Sequence, residues 1–138
     1  MRTEKKHQLA QLRHWRVRRK VRGTKDRPRM SVCFTNKNIH VQFVDDDAGV
    51  TLAAASTTGK GTPDRDKLAA NVAGAKVIGK LAAEAALAKG IKTVVFDRSG
   101  ARYHRNESKG KGKDNKPVLV LGKLATLADA AREAGLKF

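Results

Sequence analysis

The chain has 138 residues, 40% of them apolar, and a formal net charge of +17. That length fits one domain, and the scarcity of aromatics leaves its core to Val, Leu, Ile and Ala. A charge this large repels like molecules and attracts polyanions, nucleic acid first and anionic membrane second, while no apolar run nears the ~18 residues of a membrane span. The lone Cys33 excludes an internal disulfide and a cysteine-pair metal site, which suits a reducing compartment. The N-terminus lacks the apolar stretch of a signal peptide and the Ser content of a transit peptide, so it reads as mature sequence.

Residues 1–29 carry twelve basic side chains against two acidic ones, Glu4 and Asp26, so +10 of the +17 sits on a short N-terminal stretch. Such a block repels itself and buries little. It reads either as a solvated tail or as an arm that folds onto phosphates, with Thr3 as helix N-cap, Leu9, Leu12 and Trp15 at helical spacing and Gly23 as a stop. Arg outnumbers Lys here, and Arg offers a planar fork to phosphate and base edges. The expected division is a basic, partly helical, nucleic-acid-binding arm over residues 1–26 and one α/β domain over 27–138.

From Arg27 to Ser56 the apolar residues alternate. Met30, Val32 and Phe34, then Ile39, Val41 and Phe43, then Val50, Leu52 and Ala54 point one way, with Asn-rich and Asp/Gly turns between the three runs. This is the pattern of an antiparallel meander with one face for a core. The other face carries Ser31, Thr35, His40, Gln42 and Thr51 and is left for water or a polar partner. Thr62 and Pro63 then read as the entry to a helix, with Leu68, Val72, Ala75, Ala82 and Ala85 as its inner stripe, widened by Ile78 and Leu81. Gly74 and Gly79 imply close approach of that helix to the sheet, and Lys89-Gly90 ends it. Thr93 to Phe96 is a short apolar run, the signature of a parallel strand buried on both faces. Residues 106–116 are Gly-Lys-rich, Val118 to Leu121 is strand-like, and a hairpin starting near Arg102 and returning through Val118 to Leu121 is expected. A final helix buries Leu124, Leu127, Ala128 and Ala131, stops at Gly135, and lets Leu136 and Phe138 pack behind it.

Motifs of catalysis are missing. The run Asp45-Asp46-Asp47 reads as a hairpin turn completed by Gly49, because neighbouring strand residues cannot all face one cation. The four histidines show no metal-ligand spacing, and Gly59 to Thr62 is too short for a nucleotide loop. Neither enzyme nor cofactor nor metal is expected.

Several stretches resemble the bacterial L-eighteen family of large-subunit ribosomal proteins: Arg27 to Val32, Asn36 to Gln42, the helix end around Leu81 to Ala85 with Lys89-Gly90-Ile91, the strand Val94 to Arg98, the pair Tyr103-His104, and Leu127 to Leu136. The resemblance covers the chain from about Arg13 onward and implies a three-layer α/β/α fold with a mixed sheet. It also implies binding of 5S rRNA, help in attaching that RNA to 23S rRNA, and neighbouring large-subunit proteins as partners in the cytoplasmic ribosome, with no membrane and no DNA. The implied RNA contacts are Arg13, Arg16, Arg18, Arg19, Lys20, Arg22, Arg27 and Arg29 of the basic stretch. They continue with Thr35, Asn36, Lys37, His40 and Gln42 of the meander and Arg98, Tyr103 and His104 beyond the buried strand. In the family His104 would be followed almost at once by Gly-Arg and the last helix. Here Gly122-Lys123 take that place, so residues 105–121 read as a basic insertion. A DNA-compacting protein and a magnesium nuclease with Asp45 and Asp97 on one metal are the competing classes.

Overall fold

A computed structural model describes residues 2–109 and 117–138. The elements in chain order are α1 (Thr3–Arg18), β1 (Arg29–Phe34), β2 (Ile39–Asp45), β3 (Val50–Ser56), α2 (Val72–Ala88), β4 (Val95–Asp97), β5 (Arg105–Lys109), β6 (Pro117–Leu121) and α3 (Lys123–Glu133). Strands β3, β2, β1 and β4 form a mixed sheet in that order, antiparallel except for β1 beside β4. The expected α/β architecture, a meander followed by a crossover helix, a parallel strand and a C-terminal helix, is present.

The alternation of β1 and β2 does what its period requires. Met30 sits opposite Phe43 and Val32 opposite Val41, all four fully buried. In β3 the phase changes. The register slips between Phe43 and Val44, so Phe43 faces Ala53 while Val44 faces Thr51, and Leu52 is the extra residue of a bulge. Ala53 and Ala55 therefore turn toward the core, and Ala54, expected inside, is exposed opposite Gln42.

Helix α2 begins later than its sequence reading. Asn71 caps it, accepting the Gly74 N–H at 2.7 Å, while Thr62 Oγ1 donates to the Ser56 carbonyl at 2.6 Å and closes a loop. Asp64 adopts φ 50°, a left-handed conformation that a growing helix does not accept. The inner face is Ala75, Ile78, Gly79, Ala82, Ala83 and Ala86, so Val72 is left exposed and Ala85 only half-buried. Gly79 serves a different neighbour from the one expected. A Cβ there would lie 2.5 Å from the Leu127 carbonyl oxygen, so the close approach is to α3, not the sheet. Gly90, at φ 78°, ends α2 with Ile91 N–H donating to the Ala86 carbonyl.

Helix α2 packs on β2 and β3, and α3 packs along α2. Leu124, Leu127, Ala128 and Ala131 are buried as expected, and Leu136 follows them inside. Strand β4 starts two residues later than predicted because Val94 N–H donates to the Lys137 carbonyl; from Val95, whose N–H donates to the Pro28 carbonyl, the strand pairs with β1 as Val95 beside Arg29, Phe96 beside Met30 and Asp97 beside Ser31. It is an edge strand, so Val95 and Phe96 are half-buried rather than enclosed on both faces. Phe96 instead stacks on Phe138 with ring centres 5.1 Å apart.

Strands β5 and β6 pair only with each other, from Arg105 opposite Leu121 to Lys109 opposite Pro117. The expected hairpin is present, starting at Arg105 instead of near Arg102, and its turn at 110–116 lies outside the described residues. Its base is closed by the Gly122 N–H donating to the His104 carbonyl at 2.9 Å. Helix α1 starts at Thr3 itself, with Arg2 in the cap position, and ends before Gly23. None of its residues is buried, and Leu12 and Trp15 are about half exposed.

Candidate nucleic-acid interface

Two surfaces gather the polar and basic residues singled out in the sequence. The first is a cleft of about 660 Å³ between α1 and the loop leaving β4. Ala10, Arg13, His14 and Val17 form one wall, and Phe96 to Gly100 with Tyr103 form the other. The strand ends at Asp97, and Ser99 and Gly100 turn the chain at φ 48° and 80°. That turn leaves Arg98 exposed at the rim. The Tyr103 hydroxyl accepts from Arg132 Nη1 at 3.3 Å, and the Arg132 guanidinium also lies over Phe138, 4.4 Å from its ring centre. Arg132 thus holds Tyr103 at the cleft wall, a link no local pattern discloses. His104 is exposed beside the hairpin base.

On the outer side of α1, Arg16, Arg18 and Arg19 are exposed, and Trp15, Arg18 and Arg19 line a shallow depression. Lys20, Arg22 and Arg27 continue the basic path toward the sheet. Arg22 is half-engaged, pairing with Asp47 on the β2–β3 turn. The Arg27 Nε–H lies 3.5 Å from the Val94 carbonyl.

The second surface is the uncovered face of the sheet. Cys33 and Gln42 are exposed on it, and His40 is half-buried with Nδ1 2.9 Å from Ser56 Oγ. Thr35, Asn36 and Lys37 are exposed at the β1–β2 turn. Thr35 holds that turn, donating from Oγ1 to the Asn38 carbonyl and accepting the Asn38 N–H.

Arg29 is where the structure departs from the expected contact set. It is 5% exposed, and its guanidinium is committed to two carboxylates, Asp46 and Asp97. Its place in the basic stretch put it among the implied RNA contacts; burial takes it out of reach of phosphate. The same pairing changes the reading of the acidic run. Asp47 is exposed as a turn residue should be. Asp45 is buried and accepts the N–H groups of Asp47 and Ala48, while Asp46 is drawn down to about 2, chiefly by its hydrogen bond from Arg29. The arrangement required of a magnesium nuclease is not met: Asp45 serves its own turn and Asp97 serves Arg29. Among the described residues Arg98 has no carboxylate partner either: Asp97 pairs with Arg29, and Asp129 with Arg105 and Arg132.

A family model described as ribosomal L18 of archaea, bacteria, mitochondria and chloroplast matches residues 4–108. The chain is 46% identical over 133 residues to the large ribosomal subunit protein uL18 of Petrotoga mobilis, covering 96% of this chain and 95% of that one. It is 47% identical over 133 residues to the large ribosomal subunit protein uL18 of Lactobacillus acidophilus, with the same two shares covered. A match that takes in α1, the whole meander, α2 and β4, together with relatives this similar along almost their full length, means that the chain belongs to the ribosomal L18 family.

Proposed function

We propose that this structural, non-enzymatic component of the large ribosomal subunit binds 5S rRNA and helps attach it to 23S rRNA. The observation that carries the reading is the convergence of Arg13 and His14 of α1 with Arg98 and Tyr103 on one cleft. The cations supply sequence-independent attraction to phosphate, and the flanking backbone and Tyr103 supply shape. RNA is read by shape, 2′-hydroxyls and unpaired bases that stack on aromatic rings. Two rings sit among the arginines of the proposed surface, Trp15 beside Arg18 and Arg19 and Tyr103 across from Arg13, so broad single-strand reading of the sheet is not part of the proposal.

The contact set we propose is Arg13, Arg16, Arg18, Arg19, Lys20, Arg22 and Arg27 on the N-terminal stretch and Thr35, Asn36, Lys37, His40 and Gln42 on the meander, with Arg98, Tyr103 and His104 beyond β4. Surfaces that 5S rRNA leaves free, including the basic hairpin, fall to 23S rRNA and neighbouring ribosomal proteins. A competition gel tests this. Purified protein is offered 5S rRNA, transfer RNA and duplex DNA at matched salt. Preference for 5S rRNA is the expected result; equal binding to duplex DNA would favour a DNA-compacting protein.

A further inference from the structure

Arg29 stands at the start of β1 with its guanidinium turned into the domain. Its Nε and Nη2 donate side-on to both oxygens of Asp46, at 2.8 and 2.7 Å, and Nη1 donates to Asp97 Oδ2 at 3.1 Å. Each carboxylate then holds a backbone segment. Asp46 Oδ2 accepts the Gly23 N–H at 2.8 Å, and the Asp46 N–H donates to the Gly23 carbonyl at 3.0 Å. Asp97 Oδ1 accepts the Ser99 N–H at 2.9 Å, and Ser99 Oγ lies 3.1 Å from Ser31 Oγ on β1. Gly23 fits closely: a Cβ there would lie 2.3 Å from both Arg29 N and the Val44 carbonyl oxygen. One side chain therefore joins the segment leading out of α1 to the loop that displays Arg98. The first of these continues the α1 wall of the cleft, which reaches as far as Val21, and the second belongs to the opposite wall.

A buried ion pair is a weak source of net stability, because desolvation offsets much of the Coulomb gain. What it does restrict is direction, since a planar guanidinium meets two carboxylates in few orientations. We propose that Arg29 is a positioning residue for RNA binding, fixing the chain that leaves α1 and the Arg98 loop relative to each other through Asp46 and Asp97. The inference rests on the RNA-binding reading above.

Arg29→Lys is the informative substitution. It keeps the charge and loses the fork, so a change in long-range attraction cannot explain its effect. The expected result is a folded protein that binds 5S rRNA about tenfold more weakly, a loss of the size a single coupled contact carries. In a double-mutant cycle, Arg98→Ala should also cost about tenfold alone but only about twofold on top of Arg29→Lys, because the lysine variant already misplaces Arg98. Independent, multiplying losses would overturn the proposal, as would normal binding by folded Arg29→Lys. Amide hydrogen exchange of the free protein supplies a readout without RNA: Gly23 and Ser99 should both lose protection in Arg29→Lys. Unchanged protection at either would also overturn it. Failure of the wild-type chain to prefer 5S rRNA would instead count against the parent reading, while coupled loss of protection would still support the tie.

Discussion

Asp46 has its pKa held down to about 2 from an ordinary 3.8, first by the hydrogen bond from Arg29 and then by the Gly23 N–H, against an opposing effect of burial. A carboxylate depressed in the folded state stabilises the fold above its unfolded value and ceases to do so as pH falls through its folded one. Asp46 should therefore contribute about 2 kcal/mol from neutral pH down to about pH 4, fading by about pH 2. Denaturant melts of wild type and Asp46→Asn should differ by roughly that amount at neutrality, and the gap should narrow as pH falls from about 4 to about 2. A gap of constant size across that range would mean that Asp46 loses no favourable charge on protonation. This pairing was not legible in the sequence. Arg29 finds its partners 17 and 68 residues away, and nothing local distinguishes it from Arg27, which stays exposed. The exposed basic residues of α1 were legible, because charge density alone keeps such residues out of a core.

At the scale of elements, β2 followed its periodicity throughout, β1 did so at Met30 and Val32, and α3 buried the four residues expected of it with Ala125 and Ala130 beside them, since each is a regular repeat with one face covered. Two departures came from local backbone events that periodicity does not encode. The bulge at Leu52 inverts half of β3, and the left-handed Asp64 postpones α2 to the Asn71 cap. Gly79 offers a test of the packing between the two core helices. Gly79→Ala gains about 1 kcal/mol of helix propensity, yet its methyl meets the Leu127 carbonyl, a backbone atom with little room to yield. A net loss of about 1–3 kcal/mol is expected by chemical denaturation, from overpacking. Stabilisation would show that α3 shifts without cost. The hairpin allows a different experiment. Its loop sequence alternates Gly with Lys, and it pairs with no strand of the main sheet. Replacing residues 106–117 by a short Asn-Gly turn should leave binding to isolated 5S rRNA intact and weaken incorporation into the large subunit, most at higher salt. Normal incorporation at every salt concentration would deny the hairpin tip a role in RNA contact.

For the whole molecule, charge and packing are segregated. The apolar core lies under α2 and α3, while +10 of the +17 belongs to the first 29 residues, few of which are buried. Removing residues 1–22 should weaken RNA binding and flatten its salt dependence. Every phosphate that the shortened protein no longer neutralises lowers the log–log slope by about 0.7 to 0.9. Titrations at several salt concentrations measure it, and an unchanged slope would place the target of α1 away from 5S rRNA. The truncation spares Gly23 and its two hydrogen bonds to Asp46, so the domain should keep its melting temperature.

The closed base of the hairpin has a practical consequence. The chain leaves the domain at His104 and re-enters at Gly122, where a single hydrogen bond brings the two points together. Whatever is spliced between them starts and finishes at the same place, so its length is decoupled from the core. The position is a ready socket for a reporter, such as a fluorescent module or an affinity handle. Inserted between Lys109 and Pro117, with β5, β6 and the Arg105–Asp129 pairing kept, it would leave α2, α3 and the cleft of the free protein in place.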